Sequence, residues 1–204
     1  GLVLPLTERS FKFAHDRIQQ AVYSLLSQKE REELHLDIAR ALHTGLDEGS
    51  GYINQEQHLF DIVNQFNGGI AQVQDADEKR RIAELNHQAA AKARINSAFQ
   101  TALDYANTGL QLLETNSWNT HYALTLGLHT EAVEACYLCA DFARMEPLFR
   151  TIVANAKTIL DTVKPYEIRI HAFKAQNKFK EAILTGLEVL EQLGESFPKK
   201  PTQA

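Results

Sequence analysis

The 204-residue chain has two cysteines, one methionine, one tryptophan and five prolines. Two cysteines are too few for a secreted disulfide scaffold. No apolar run approaches the length of a membrane span, and no secretory signal opens the sequence. The 26 acidic and 21 basic residues are interspersed, for a formal net charge of −5. The absence of a basic stripe argues against a nucleic-acid partner. No G-x-x-x-x-G-K-[ST] is present, so the chain has no phosphate loop of its own. No serine, histidine and acid stand in a hydrolase signature. These gaps point to a cytoplasmic, non-enzymatic piece without cofactor, nucleic acid or membrane. A start at Gly1 and a sole methionine at Met145 give the chain the look of a fragment of a longer protein.

What is present is helix after helix. Ser27-Gln28-Lys29-Glu30 has capping-box spacing, in which Ser27 and Glu30 satisfy each other's loose amides. The helix it opens carries Leu34, Ile38, Ala41 and Leu42 at one-face spacing. After a glycine-bearing loop over 44–54, Leu59, Ile62, Val63 and Phe66 mark a second helix that stops at Gly68-Gly69. A long helix is expected over 77–96, with Ile82, Leu85, Ala89 and Ala93 inward, its acidic start at 75–78 favouring the positive helix end. Another follows with Phe99, Ala102, Leu103, Ala106, Leu110 and Leu113, and a further long one over 118–140. Only Phe11 to Phe13 alternates as a strand would, and no second strand is expected.

A weak repeat underlies the pattern. Phe99/Ala102, Phe142/Met145 and Phe179/Ala182 each follow a short turn, at intervals inside the range of helical-hairpin repeats. Ser97, Asp141 and Asn177 stand before them as N-caps would. All three phenylalanines are expected to be buried between neighbouring helices. Ile183, Gly186, Leu187, Leu190 and Leu193 continue the face of the last hairpin. The turn Asn177-Lys178-Phe179-Lys180-Glu181-Ala182 resembles that of a tetratricopeptide repeat. Stacked antiparallel hairpins of this kind form an all-α, right-handed superhelix.

The candidate sites are few. Cys136-Tyr137-Leu138-Cys139 is a C-x-x-C in mid-helix without a second pair. It lacks the four ligands of a zinc site and the strand–helix junction of a thioredoxin motif, and reads as buried thiols. His35 and His43, and His121 and His129, are each eight apart, without companion ligands that would make them metal sites. Trp118, Tyr122 and Tyr137 are candidates to line a ligand pocket between hairpins.

Phe11-Lys12-Phe13-Ala14-His15-Asp16-Arg17 sets a His-Asp pair between a short strand and a helix. Asp16 there can cap the helix. This block resembles the end of the winged-helix subdomain of STAND-class ATPases, with Ala14 where that class has methionine in its best-known form. The resemblance implies that His15 and Asp16 sense a nucleotide held by an upstream ATPase domain; a plain helix cap is the alternative. Longer phrases, among them Leu59-Phe60-Asp61-Ile62-Val63-Asn64-Gln65-Phe66 and the run from Lys180 to Leu190, resemble the helical region between the ATPase and GAF domains of large bacterial hybrid kinases. Pro147 departs from that pattern and either opens a helix or kinks one.

The resemblance implies three parts: the end of a winged-helix segment over 1–45, a tetratricopeptide-like domain over 55–195, and a linker tail over 196–204. It implies a non-catalytic module relaying an ATPase switch to downstream sensor-kinase domains, with neighbouring domains and a protein or peptide as partners. A small-molecule-sensing arm is the alternative.

Overall fold

The computed structural model describes residues 3–7, 10–13, 21, 23–47, 55–195 and 197. The described residues are helical apart from two short strands, and they divide into two compact units, Gly1–Asp75 and Ala76–Ala204.

In the first unit β1 (Val3–Thr7) pairs antiparallel with β2 (Ser10–Phe13), Val3 opposite Phe13, with an irregularity between Pro5 and Thr7. The strand expected at Phe11 to Phe13 is therefore joined by a second one that alternation did not reveal. Pro5 lowers the strand signal of β1, but a two-stranded ribbon leaves an open edge where a missing N–H is tolerated. Helices α1 (Gln28–Asp47) and α2 (Gln55–Gly68) follow, then a single 3-10 turn at Ile70–Gln72. The capping box forms as expected: the Ser27 N–H donates to Glu30 Oε2 at 2.7 Å and the Glu30 N–H to Ser27 Oγ at 3.3 Å. Those bonds, the Ser27 side chain's foremost, hold the Glu30 carboxyl below its ordinary value.

The buried line of α1 is not the expected one. Leu34 and Ile38 are exposed, while Leu36 and Ala39 are buried. The helix is turned so that polar residues also face inward and find partners. Gln65 Oε1 accepts from His35 Nδ1 at 2.6 Å, which leaves Nε2 to accept from the Tyr23 hydroxyl at 2.8 Å. Gln72 donates to Glu32 at 2.7 Å. Gly69 is more than a helix stop. A Cβ there would lie 2.5 Å from the Glu32 carbonyl oxygen, so only glycine lets the 3-10 turn abut α1. Helix α2 packs on α1, and both belong to the first unit.

The second unit is built from hairpins: α3 (Ala76–Ile95) with α4 (Phe99–Leu112), α6 (Tyr122–Leu138) with α7 (Phe142–Asn155), and α8 (Leu160–Ala175) with α9 (Phe179–Gln192). A single turn, α5 (Ser117–Thr120), precedes α6. The expected helix over 118–140 is thus broken at His121, whose φ of −135° and ψ of 48° are not helical. Each hairpin turn carries a left-handed residue two places before its phenylalanine: Ser97 (φ 60°), Ala140 (φ 57°) and Asn177 (φ 58°). The next amide then reaches back five residues, from Ala98 to Ala93, Asp141 to Cys136 and Lys178 to Phe173, at 2.8–2.9 Å. This is the Schellman closure of a helix C-terminus. Ser97 and Asn177 therefore close the preceding helix instead of capping the next one. Only Asp141 caps, accepting from the Arg144 N–H at 3.1 Å.

The core is rich in alanine, with Ala83, Ala89, Ala90, Ala93, Ala102, Ala106, Ala132, Ala135 and Ala172 all buried. Small side chains let helix axes approach, and Phe149, Ile152 and Tyr166 fill the wider gaps. Pro147 lies inside α7 and does not open it. Phe99 and Phe142 are half-buried. Phe179, expected to be buried, is 57% exposed, because no described helix lies beyond α9.

Candidate functional site

Helices α3, α6 and α8 together border a cleft of about 480 Å³ in the second unit. Its lining includes His87 from α3, Tyr122, Leu126 and Gly127 from α6, and Leu160, Asp161 and Lys164 from α8. The positions on α6 follow from helical spacing, since 122, 126 and 130 recur every four residues on one side. Gly127 lets α3 come near: a Cβ there would lie 2.7 Å from the His87 ring.

Tyr122 ties the cleft's end to the loop before α8. Its hydroxyl donates to Asp161 Oδ2 at 2.7 Å and accepts the Lys157 N–H at 2.8 Å, while the Lys157 ammonium lies 4.3 Å from its ring centroid. Asp161 also accepts the Thr158 N–H at 2.8 Å. These bonds, that of Tyr122 first, hold the Asp161 carboxyl below its ordinary value. Burial foremost pushes the Tyr122 hydroxyl up.

The charges around the cleft are partnered. Arg94 of α3 grips Glu131 of α6 through two bonds, at 2.9 and 3.3 Å, and reaches Glu134 at 3.5 Å. The Glu131 hydrogen bond is the main reason the guanidinium is held even more firmly protonated than usual. Lys164 of α8 lies 3.5 Å from both Glu134 and Glu167. A ladder of ion pairs therefore runs α3–α6–α8 along the same side as the cleft. The open lining that remains is chiefly Leu126, Leu160 and the Tyr122 ring. A surface of this kind suits an apolar group better than a free ion, because its charges are already neutralised by neighbours.

Of the aromatic residues expected to line a pocket, Tyr122 alone is among the lining of this cleft. The Trp118 ring lies 5.9 Å from that of Tyr122, tilted by 60°, and 4.9 Å from that of His129, and Tyr137 lies 6.3 Å from His171. The three do not meet in one place. His15 and Asp16 lie outside the described residues. His129 donates from Nδ1 to the Thr125 carbonyl at 2.8 Å, and burial depresses its pKa. Cys136 is buried and its thiol is pushed up to about 11, chiefly by that burial. Burial likewise raises Cys139. The pair is not in mid-helix as expected: α6 ends at Leu138, so Cys136 lies in its last turn and Cys139 just past it, half-buried. The raised pKa of each disfavours the reactive thiolate. Among the described residues no group of three or more His, Cys, Asp and Glu side chains could hold a metal ion, and no helix is long and apolar enough to cross a membrane.

The sequence reading missed Leu126, Leu160, Asp161 and Lys164. The four-residue spacing from Tyr122 to Leu126 was a usable signal on α6. Nothing in sequence joins α6 to α8.

The chain is similar to Hybrid signal transduction histidine kinase G of Dictyostelium discoideum, with 26% identity over 204 residues. The match takes in 90% of this chain but only 6% of that protein's length. No family model matches the chain, and no solved structure matches it.

Proposed function

We propose that the chain is a non-catalytic interaction and relay module of a larger signalling kinase, and that the cleft between α3, α6 and α8 is where a protein or peptide partner docks. The carrying observation is the cleft itself: an apolar floor between three helices, framed by charges already engaged with one another. The likeness to a hybrid signal transduction histidine kinase supplies the signalling context. The repeated Schellman turns at 97, 140 and 177 support a tetratricopeptide-like stack, which in this reading winds as a right-handed superhelix with the cleft on its concave side. The β1–β2 ribbon supports a winged-helix remnant at the start of the chain. In this reading His15 and Asp16 report the nucleotide state of an upstream ATPase to sensor-kinase domains in the cytoplasm, without nucleic acid or membrane.

The test is Leu160→Glu. Leu160 is 71% exposed at the cleft's edge, so the change leaves the melting midpoint within about 2 °C. In the intact kinase it is expected to weaken signal-dependent autophosphorylation severalfold. Unchanged autophosphorylation would remove the cleft from the relay.

The position of Tyr122 in the cleft also supports the second reading, a small-molecule sensor. A ligand-induced rise in melting midpoint that Leu160→Glu abolishes would favour it over a protein partner.

A further inference from the structure

The last helix carries a face that its predecessors do not leave open. Counting from the phenylalanine that starts each second helix, the fourth residue onward is Leu103 on α4, Glu146 on α7 and Ile183 on α9. Leu103 is 1% exposed, and α4 lies between α3 and α6. Glu146 is held by Arg169 of α8 at 3.0 and 3.1 Å, and Phe149 meets Tyr166 of α8 edge-on at 5.1 Å. Ile183 is 63% exposed, and Phe179 and Leu184 beside it are open as well. The packing of α9 is on α8, and the one close neighbour a Cβ at Gly186 would meet is Ile170 Cδ1 of α8, at 3.8 Å.

We infer that this α9 face seats a further helical hairpin of the same polypeptide, one whose first helix resembles α6. Continuity with the two existing interfaces identifies the kind of occupant. On α4 and on α7 the outward side is covered by the first helix of the next hairpin. The chemistry selects α6 over α8 as the template. The α7 face presents an acid and takes an arginine, whereas the α9 positions Ile183, Gly186 and Leu190 repeat the apolar spacing of Leu103, Ala106 and Leu110 on α4, the helix against which α6 packs. A contiguous set of large aliphatic and aromatic side chains on one helix marks a contact surface. The inference rests on the chain belonging to a larger protein, but it concerns a face other than the cleft, so variants at Leu160 and Ile183 fail independently.

The experiment appends a copy of residues 116–156, the chain's own α5–α7 segment, after Glu195. Melting, amide hydrogen exchange and sedimentation are then compared with the 204-residue chain. The appended hairpin is expected to raise the melting midpoint by about 5–10 °C and to slow exchange across 179–190 at least tenfold. Ile183→Glu should undo both changes, while shifting the midpoint of the 204-residue chain by under about 2 °C. Equal exchange across 179–190 with and without the appended hairpin, whether or not that hairpin folds, would overturn the inference. So would a concentration-dependent dimer of the 204-residue chain that Ile183→Glu dissociates, since the face would then belong to a second copy.

Discussion

Gly109 and Gly186 sit inside helices of the same unit, yet replacing each by alanine should have opposite effects. In an exposed helix interior, glycine to alanine is worth roughly 0.8–1 kcal/mol of stabilisation, through lower backbone entropy in the unfolded chain. At Gly186 the added methyl meets only Ile170 Cδ1, at 3.8 Å, an ordinary contact. The propensity gain survives there. At Gly109 the methyl would lie 2.6 Å from Leu128 Cδ2, 3.1 Å from Leu128 Cδ1 and 3.3 Å from Asn86 Cβ. Leu128 and Asn86 are both fully buried, on α6 and α3, so neither can swing into solvent. Overpacking of this kind costs about 1–3 kcal/mol, which exceeds the propensity gain over most of that range. Gly109→Ala should therefore destabilise by about 1–2 kcal/mol and Gly186→Ala should stabilise by about 0.5–1 kcal/mol. Urea denaturation read by far-UV circular dichroism measures both. The double change Gly109→Ala with Leu128→Ala should destabilise by at least about 1 kcal/mol less than the sum of the two single changes, since the smaller side chain removes the overlap. A stabilising Gly109→Ala, or strict additivity with Leu128→Ala, would refute the close passage of α4 between α3 and α6.

Two further outcomes follow from the geometry. The pKa of His129 is depressed in the folded state relative to the ordinary imidazole value of 6.5. The unfolded chain thus binds more protons just below that pH, and the histidine's share of stability is intact above 6.5 and falls as pH drops from 6.5 toward the folded value. His129→Gln should flatten this acid limb in melts between pH 7 and pH 5; an unchanged slope would show the ring is not the titrating group. Arg169 spans α7 and α8, paired with Glu146 and stacked over Phe149 at 4.6 Å and Phe173 at 5.2 Å. Arg169→Lys keeps the charge but loses the planar fork and much of the stacking, so it should still destabilise by about 1 kcal/mol, and an unaffected urea midpoint would deny the pair a structural role.

Elements with strong local signals were legible without the fold. The Ser27–Glu30 capping box, the helices marked by Ile62/Val63/Phe66 and by Ala102/Leu103/Ala106, and the hairpin turns before Phe99, Phe142 and Phe179 all follow from spacing and composition over a few residues. The same local reasoning failed where two answers had similar local energies. On α1, the line through Leu34 and Ile38 is more apolar than the line through His35, Leu36 and Ala39. The second is buried because α2 supplies Gln65 as a partner for His35. Ser97 and Asn177 are residue types that suit an N-cap or a left-handed C-terminal position, and only the closing of the preceding helix distinguishes them. The cleft was less legible still. Tyr122 could be picked out as an aromatic suited to a pocket between hairpins, but its meeting with Asp161 and Leu160 spans nearly forty residues and depends on α8 returning beside α6. Sequence by itself determined which segments coil and where they turn, because backbone hydrogen bonds and side-chain spacing act within a turn or two. Tertiary structure decided which faces are covered, which charges cancel and which stripe, that of Phe179 and Ile183, stays open, because burial depends on what the rest of the chain brings alongside.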